Sequence, residues 1–575
     1  MELFFVYNNF MVLDKKKFCI IFLVIMFFAF LILNFLFNNQ DESYVKEVLS
    51  PTEFVLKNGE KYVLTDISVF DADYTDKNKE QAKVMNITED EAFILGNLGR
   101  YWAKNFIEGR KIKISDNDLI YYKFGYLTRL KNSSFSFVDG KPVNQQAFNR
   151  QLASIRRGKF VILDLDTDVS YPVSKESRAK VKNFVVVRKS HVKNILSKHE
   201  KEVAVADILY NPVFDSGNIK IIVSDLTTKV KPDRNCSSEI CKEILSSINS
   251  AKNSIDIAIY GYSSTPEIEK AINRAKSRGV KIRLVYDIDS KGENIYPDTF
   301  KFVKIVPDNM SDKNSAEVRN TMHNKFYIFD NQKVITGSAN LSHTDMSGYN
   351  SNSIIVINMP EVAKIYTNEF NRMYGGNFHN DKNPGNNKVT GNIQVYFSPQ
   401  DKGIKNGILP LIKNAKKYIY VPTFVITEKG LTAELIKARQ RGVDVRVIAD
   451  ALNASTKHSK HKELRNSGIQ VKAENYAGKM HSKTMIIDDE YLVIGSMNFS
   501  NSGENRNDEN MIILQDKEAV KFYKTFFIYQ WNRIPDKWLK YTPRAEGIDS
   551  VGSCSDGIDN NYDGKTDLED EGCKK

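Results

Sequence analysis

The hydrophobic pattern divides the chain into an apolar span, a mixed segment, and a long stretch where strand and helix periods alternate. Phe18–Phe37 is a run of twenty residues broken only by Asn34, and about 20 apolar residues suffice for a helix to cross a bilayer. Lys15, Lys16 and Lys17 precede the run, and Asp41 and Glu42 follow it. Lysines stay on the cytoplasmic side, so residues 1–17 are expected inside, 18–37 as a transmembrane signal anchor, and the rest extracytoplasmic. A cleaved signal peptide is the competing reading, but the run exceeds the usual apolar region and no small-x-small site follows it. Starting at Met11 instead would leave the topology unchanged.

Residues 41–200 read as an accessory α+β domain. Phe54-Val-Leu-Lys and Lys61-Tyr-Val-Leu flank Asn58-Gly59, the chemistry of a tight type I′ hairpin turn. Thr88 and Glu91 form a capping box ahead of an apolar-periodic helix running through Trp102 to about Glu108. Gly109 supplies a left-handed stop, and Lys111-Ile-Lys-Ile resumes a strand. This order resembles the layout of the staphylococcal-nuclease-like barrel, without that family's acidic and arginine set, and a binding or spacer role is expected.

From residue 218 the chain repeats itself. Ser250-Ala-Lys-Asn-Ser-Ile-Asp-Ile-Ala-Ile-Tyr260 corresponds to Asn414-Ala-Lys-Lys-Tyr-Ile-Tyr-Val-Pro-Thr-Phe424, and Arg278–Asp287 corresponds to Arg441–Asp450. Each copy reads strand, helix, Arg-Gly turn, strand. That alternation predicts α/β architecture with a largely parallel sheet, in two similar lobes over residues 218–392 and 393–540. A solenoid would need more and shorter units.

Each copy ends in one polar constellation. His323, Lys325, Asp330, Gly337, Ser338 and Asn340 follow His-x-Lys-x4-Asp-x6-Gly-Ser-x-Asn, and so do His481, Lys483, Asp488, Gly495, Ser496 and Asn498. Six fixed residues arise by chance in such a chain on the order of once in 10⁵ tries. Residues i and i+2 of a strand share a face, so each histidine and its lysine point the same way. The aspartate turns the strand, glycine permits close approach, and serine and asparagine offer donors. Two facing lobes then supply two imidazoles, two ammonium groups and two amides around one anion-sized space, which suits a phosphodiester.

The duplicated motif resembles that of the phospholipase D superfamily over residues 218–535. The resemblance implies two α/β/α lobes with one active site between them, a phosphohistidine intermediate and no catalytic metal. It casts His323 as nucleophile, His481 as proton donor and then base, and Lys325, Lys483, Asn340 and Asn498 as phosphoryl ligands. Asp330 and Asp488 are expected to brace the hairpin. Glu509, in Asn507-Asp-Glu-Asn510, stands where the family places a carboxylate that reaches the opposite histidine. The matching Asn350-Ser-Asn-Ser353 has no acid, which leaves His481 with Asn352 or a carbonyl and favours His323 as nucleophile.

Charge and cysteines narrow the setting without choosing the substrate. The chain carries 82 basic and 71 acidic side chains, a net of +11. Cys554–Cys573 holds seven acids and one lysine, so a net of −6 there leaves +17 elsewhere, which favours anionic partners. Hydrolysis of a phospholipid headgroup, to phosphatidate and an alcohol, is placed ahead of an extracytoplasmic DNA or RNA nuclease. A non-enzymatic anion-binding protein comes last. The site lies within one chain, so the active unit is expected to be a monomer. Outside the cell, Cys236 with Cys241 and Cys554 with Cys573 are plausible local disulfides; two free thiols near residue 240 are the alternative. Lys457-His-Ser-Lys-His-Lys462 reads as a solvated basic face around His458 and His461, and His191, His199, His343 and His379 read as surface residues. Asp559, Asn561, Asp563, Lys565 (through its carbonyl), Asp567 and Asp570 match the twelve-residue EF-hand calcium loop, with Gly564 at the sharp turn. With no long flanking helices, the loop resembles those of dockerin and thrombospondin type 3 repeats, and a structural calcium ion is expected over 554–573.

Overall fold

The computed structural model describes residues 45–50, 53–63, 70–85, 87–109, 112–115, 118–123, 126–131, 137–138, 141–142, 211–227, 231–287, 305–307, 320–382 and 389–574. The expected anchor at 18–37, and His191 and His199, lie outside them. Among the described residues no helix is long and apolar enough to cross a membrane. The chain forms two compact units that divide at residues 209 and 210.

In the first unit, β1 (Val45–Val48), β2 (Glu53–Leu56) and β3 (Lys61–Val63) form an antiparallel sheet. Helices α1 (Asp76–Met85) and α2 (Glu89–Ile107) follow, then the meander β4 (Ile112–Ser115), β5 (Asp118–Lys123) and β6 (Tyr126–Lys131), and the short pair β7 (Phe137–Val138) and β8 (Lys141–Pro142). The Thr88 side chain accepts from Glu91 N while Thr88 N donates to Glu91, completing the capping box. Gly109, at φ 71°, ends the helix and donates its N–H to Val45 O at 2.9 Å. The β2–β3 turn is not type I′. Gly59 N bonds Leu56 O at 2.9 Å, so Lys57 and Asn58 are the central residues, and the positive φ of 88° falls on Gly59 alone. A type I turn closed by a left-handed glycine is the three-residue hairpin solution.

The second unit holds two eight-stranded sheets. The first contains β9 (Val213–Asp215), β10 (Ile219–Val223), β11 (Ser254–Ile259), β12 (Lys281–Tyr286), β13 (Ile305–Pro307), β14 (Lys325–Phe329), β15 (Lys333–Gly337) and β16 (Ser353–Ile357), in the order β13-β12-β11-β14-β15-β16-β10-β9. The second contains β17 (Val389–Thr390), β18 (Ile393–Ser398), β19 (Tyr418–Thr423), β20 (Asp444–Ala449), β21 (Gln470–Ala473), β22 (Met485–Ile487), β23 (Tyr491–Gly495) and β24 (Glu509–Gln515), in the order β17-β18-β24-β23-β22-β19-β20-β21. The expectation of largely parallel sheets is overturned. Only β11–β12 and β12–β13 in one sheet, and β19–β20 and β20–β21 in the other, run parallel. The repeated strand–helix–strand unit supplies these pairs. The motif hairpins and the strands that return beside them are antiparallel.

Packing follows the helix period. Helix α3 (Glu239–Ser250) buries Ile240, Ile244 and Ile248 on one stripe, and α4 (Pro266–Ser277) buries Ile268, Ala271, Ile272 and Ala275. Both cover Ile255, Ile257, Ile259 and Leu284 of the first sheet. On the other face α5 (Pro360–Tyr374) sets Tyr366 edge-on to Phe326 at 5.1 Å, and to Phe397 of the second lobe at 5.2 Å. The second lobe repeats this scheme. Its helix α6 (Lys429–Gln440) packs on one face, and α7 (Lys517–Arg533) stacks Phe527 on Tyr420 at 4.7 Å.

Cys236–Cys241 and Cys554–Cys573 are disulfide-bonded, with Cα separations of 5.2 and 5.5 Å. The acidic tail packs against the strap ahead of His481. Val551 N bonds Asn475 O at 2.7 Å, Asn560 Nδ2 bonds Ala477 O at 3.1 Å, and the Tyr349 hydroxyl donates to Asp556.

A Cβ on Gly337 would lie 2.2 Å from Ser353 O, and one on Gly495 would lie 2.3 Å from Asn510 O. Each motif glycine lets the return strand close on its neighbour. Gly495→Ala is expected to destabilise the protein by about 3 kcal/mol, read from urea midpoints. A loss below about 1 kcal/mol would show that the strands can part there.

Candidate active site

Each motif is built on a two-residue turn. Asp330 and Asn331 have φ of 53° and 54°, and Asp488 and Asp489 have 56° and 59°. Backbone bonds Gln332 N to Phe329 O and Glu490 N to Ile487 O close the two turns. Positive φ at both central positions is the type I′ geometry that matches strand twist, and aspartate and asparagine tolerate it. The Asp330 carboxylate accepts from the N–H groups of Lys252, Asn253 and Ser254 at 2.6–2.9 Å. Asp488 does the same with Lys416, Lys417 and Tyr418 at 2.6–3.0 Å. Both aspartates pin their hairpins to the start of the neighbouring strand.

The histidines stand just before β14 and in the strap before β22, where the lobes meet. His323 N donates to Asp508 O, and Asp508 N to Thr321 O, both at 2.9 Å. His481 N donates to Ser351 O at 2.9 Å, and Ser351 N to Lys479 O at 2.8 Å. Each histidine is therefore fixed by the backbone that follows the other lobe's Gly-Ser-x-Asn. The side chains cross as well. His323 Nδ1 lies 2.8 Å from Glu509 Oε2, and His481 Nδ1 lies 2.9 Å from Asn352 Oδ1. Ser496 donates to Glu509 at 2.7 Å and Ser338 to Asn352 at 2.8 Å. The serines thus hold the group behind the opposite imidazole.

The lysines are buried, and each reaches back to the carbonyl of its own histidine, Lys325 at 2.9 Å and Lys483 at 2.6 Å. Asn498 Oδ1 is buried without a hydrogen-bond partner, while Asn340 Oδ1 accepts from Gly261 N at 3.2 Å. Burial sets the electrostatics. It lowers the His323 pKa to about 4 against the opposing pull of Glu509, and Lys325 to about 8. Burial and then the two lysines hold His481 well below its usual range, and burial and then Lys325 do the same to Lys483. Four groups that repel one another as cations are thus packed in one space. A phosphodiester anion would relieve that repulsion.

Several members of the site were not read from the sequence. Tyr260 lies against His323 at 4.7 Å between ring centroids, and Phe424 against His481 at 5.0 Å. Both end the first repeated stretch at matching positions, and that was the available signal. Asp345 stands behind Asn352, its Oδ1 2.8 Å from Asn352 Nδ2 and its Oδ2 4.0 Å from His481 Nδ1. Burial and the partner carboxyl raise the pKa of Glu474, and burial raises that of Asp450 at the end of β20.

Two histidine expectations are corrected. His379 is 9% exposed rather than superficial, with Nδ1 3.0 Å from Asp508 Oδ2. Buried Lys382 bridges Asp508 and Glu369, so His379 belongs to the network that holds Asp508. His343 is half-buried against Ser263, 2.8 Å from its hydroxyl. In the Lys457–Lys462 stretch His458 is exposed, but His461 is 2% exposed between Ser459 and Thr542. Its pKa is lowered to about 4 by burial and then by Arg465 and Lys462.

In the tail, Asp559 accepts from Gly564 N at 2.8 Å, Asn561 Oδ1 from Asp563 N at 3.0 Å, and Gly564 takes φ 89°. Asn561 Nδ2 donates to Asp570 at 2.7 Å. Asp567 faces away and accepts from Asp556 N at 3.0 Å. Among the described residues no three His, Cys, Asp or Glu side chains converge as a metal site.

Residues 244–374 and 408–531 match the family model described as cardiolipin synthase, PLD-like domain, and each match contains one motif. The chain is 34% identical over 132 residues to a phospholipase D of Rickettsia prowazekii, covering 23% of this chain and 64% of that protein. It is 29% identical over 158 residues to the human mitochondrial cardiolipin hydrolase, covering 27% of this chain and 61% of that one. A phosphatidylserine synthase structure from Haemophilus influenzae aligns over 56% of this chain and 87% of its own, at 15% identity and TM-score 0.41. The chain thus carries PLD-like domain sequence in both lobes and spans under two thirds of these curated relatives.

The buried histidines predict a pH dependence of stability. An unfolded histidine takes its proton at about 6.5. His323 and His461 resist it down to about 4, and burial with the neighbouring lysines holds His481 well below its usual range too. Between about 6.5 and 4 the unfolded chain binds more protons, so stability falls as pH falls. Asp450 and Glu474, with raised pKa, act with the opposite sign and cost stability as pH rises. A His323→Gln/His481→Gln variant isolates the histidine part. Its unfolding free energy should fall less steeply between pH 6.5 and 4, by urea denaturation. Equal slopes would contradict buried neutral imidazoles.

Proposed function

We propose that the protein is a phosphodiester hydrolase of phospholipase D type acting on phospholipid headgroups. The observation that carries this is the crossed arrangement in which each lobe's imidazole is held by the other's polar pair. His323 Nε2 attacks phosphorus while Glu509 retains the Nδ1 proton. The P–O bond to the headgroup breaks, and the alcohol leaves with a proton from His481 Nε2. Water then gives its proton to His481 and attacks the phosphohistidine. The P–N bond breaks and phosphatidate is released. His481 is neutral in the free protein, and the charge of the bound phosphodiester is what permits it to carry the first proton. Lys325, Lys483, Asn340 and Asn498 hold the phosphoryl oxygens. Both half-sites belong to one chain, which supports a monomeric active unit, and a histidine nucleophile would need no catalytic metal.

Lipid is preferred over nucleic acid because the curated relatives are a phospholipase D and a cardiolipin hydrolase, and because Phe18–Phe37 would hold the enzyme at a membrane. The two disulfides support an extracytoplasmic catalytic unit. His323→Ala and His481→Ala should each lower turnover of phosphatidylcholine–cardiolipin vesicles by about 10⁴-fold or more, and the double variant should be no worse than either. Activity should survive a chelator. Cleavage of single-stranded DNA with vesicle lipids left intact would transfer the same residues to the nuclease reading.

The sequence of the tail, rather than the present arrangement of its carboxylates, supports a structural calcium ion: Asp559, Asn561, Asp563, Asp570 and the Lys565 carbonyl would be its donors, and Asp567 would have to leave the Asp556 and Gly557 N–H groups to join them. Calcium is expected to shield 554–573 from proteolysis without changing His323-dependent turnover. An unchanged cleavage pattern at millimolar calcium would dispose of the ion.

A further inference from the structure

We propose that Asp345 is a positioning residue for His481, fixing the proton on its Nδ1 through the side-chain amide of Asn352. The proposal rests on His481 acting as proton donor and acceptor, and it explains how an imidazole without a carboxylate of its own is held for that work.

Asp345 is 1% exposed, in the single helical turn His343–Met346. Its Oδ2 accepts from Asn340 N at 2.7 Å. Its Oδ1 accepts from Asn350 Nδ2 at 2.7 Å and Asn352 Nδ2 at 2.8 Å. A carboxylate offers acceptors only, so the Asn352 NH₂ must face it. The Asn352 oxygen must then face the other way, where it meets His481 Nδ1 at 2.9 Å and the Ser338 hydroxyl at 2.8 Å. Reversing the amide would set oxygen against carboxylate oxygen and NH₂ against the ring. An oxygen facing Nδ1 requires Nδ1–H, which leaves Nε2 bare toward the phosphoryl space. His323 receives the same orientation directly from Glu509. At His481 the negative charge stands one group further back, 4.0 Å from Nδ1, so the ring is oriented alike but its cation is less stabilised. After burial, the largest charge effects on His481 come from Lys483, Lys325, His323 and Lys479, all of which lower its pKa.

Without the charge at 345 the amide can turn, and neutral His481 gains access to the Nε2–H form, which cannot take a proton from water. The test compares wild type, Asp345→Asn, and the exchange variant Asp345→Asn/Asn352→Asp. Ring ¹⁵N shifts of His481 are read in the substrate-free protein, and kcat and KM on phosphatidylcholine vesicles across pH. Wild type should show a single Nδ1–H form. Asp345→Asn should show both tautomers and lose kcat on the order of 10²-fold with KM within about twofold. Its alkaline limb should move to lower pH, because the lost charge favoured the imidazolium. The exchange variant should recover the single form and move the alkaline limb above the wild-type position, since the carboxylate now touches the ring. An unchanged tautomer in Asp345→Asn, or an exchange variant whose limb does not rise, would overturn the proposal. Should Asp345→Asn not fold, the exchange variant decides alone. The expected ¹⁵N spectra with no lipid turnover in wild type would uphold the positioning and sink the hydrolase reading.

Discussion

The backbone exchange between lobes is the constraint on which the site depends. Thr321–His323 pairs with Asp508, and Lys479–His481 pairs with Ser351. Each imidazole takes its Nδ1 partner from the other lobe, so a half-molecule would leave both rings without that hydrogen bond. The strands that carry the partners are rooted in side-chain bonds across the same seam. Asn510 accepts from Thr336 at 2.7 Å and donates to Asn324 at 2.9 Å. Gln530 donates to Ser351 at 2.8 Å. Buried polar groups so satisfied specify one register between the lobes, because sliding would leave each unpaired at a cost of about 1–3 kcal/mol.

Within that frame burial and charge oppose each other, and burial wins. Glu509 raises the His323 pKa, yet desolvation and Lys325 carry it down to about 4. At Asp508 the balance is reversed. Lys382 and His379 hold that buried carboxylate below its usual range although burial pushes it up. The difference is contact: Lys382 and His379 touch Asp508, whereas Lys325 and Lys483 bond their own histidine carbonyls, lie over the Tyr260 and Phe424 rings, and form no ion pair among the described residues. The site is therefore left short of negative charge, and Asp508 is not. A structural network neutralises itself, while a binding site keeps the deficit its ligand fills.

What the sequence disclosed follows the range of each interaction. The motif hairpins were legible because aspartate, turn and glycine lie within fifteen residues of each histidine, and strand alternation is local. The Glu509–His323 contact spans 186 residues and was reached only through the family resemblance. Nothing local announced Asp345 or the network of Glu369, Lys382, Asp508 and His379, since their partners meet only after both lobes close. His379 and His461 looked superficial because polar neighbours in sequence say nothing of the strands that later cover them. The parallel-sheet expectation failed because it weighed the repeated strand–helix–strand unit over the hairpin that each motif itself encodes.

The tail extends the same logic to the surface. The strap from Asn475 to Lys479 runs directly into His481. It is held on one side by Val551 and Asn560, and on the other by Tyr349 and Ser351. A Cβ on Gly478 would lie 2.0 Å from Tyr349 O, so the strap can pass only as glycine. Tyr349 in turn donates to Asp556 of the tail while its neighbour Asn350 feeds Asp345. One surface unit thus grips both the strap that carries His481 and the loop that orients it. His323 has no such outer brace in the described residues, and its support is the buried Asp508–Lys382 network instead. The two imidazoles are equivalent in backbone geometry but anchored by different means, one by charge in the interior and the other by a disulfide-closed cap. That asymmetry runs parallel to the Glu509–Asn352 difference.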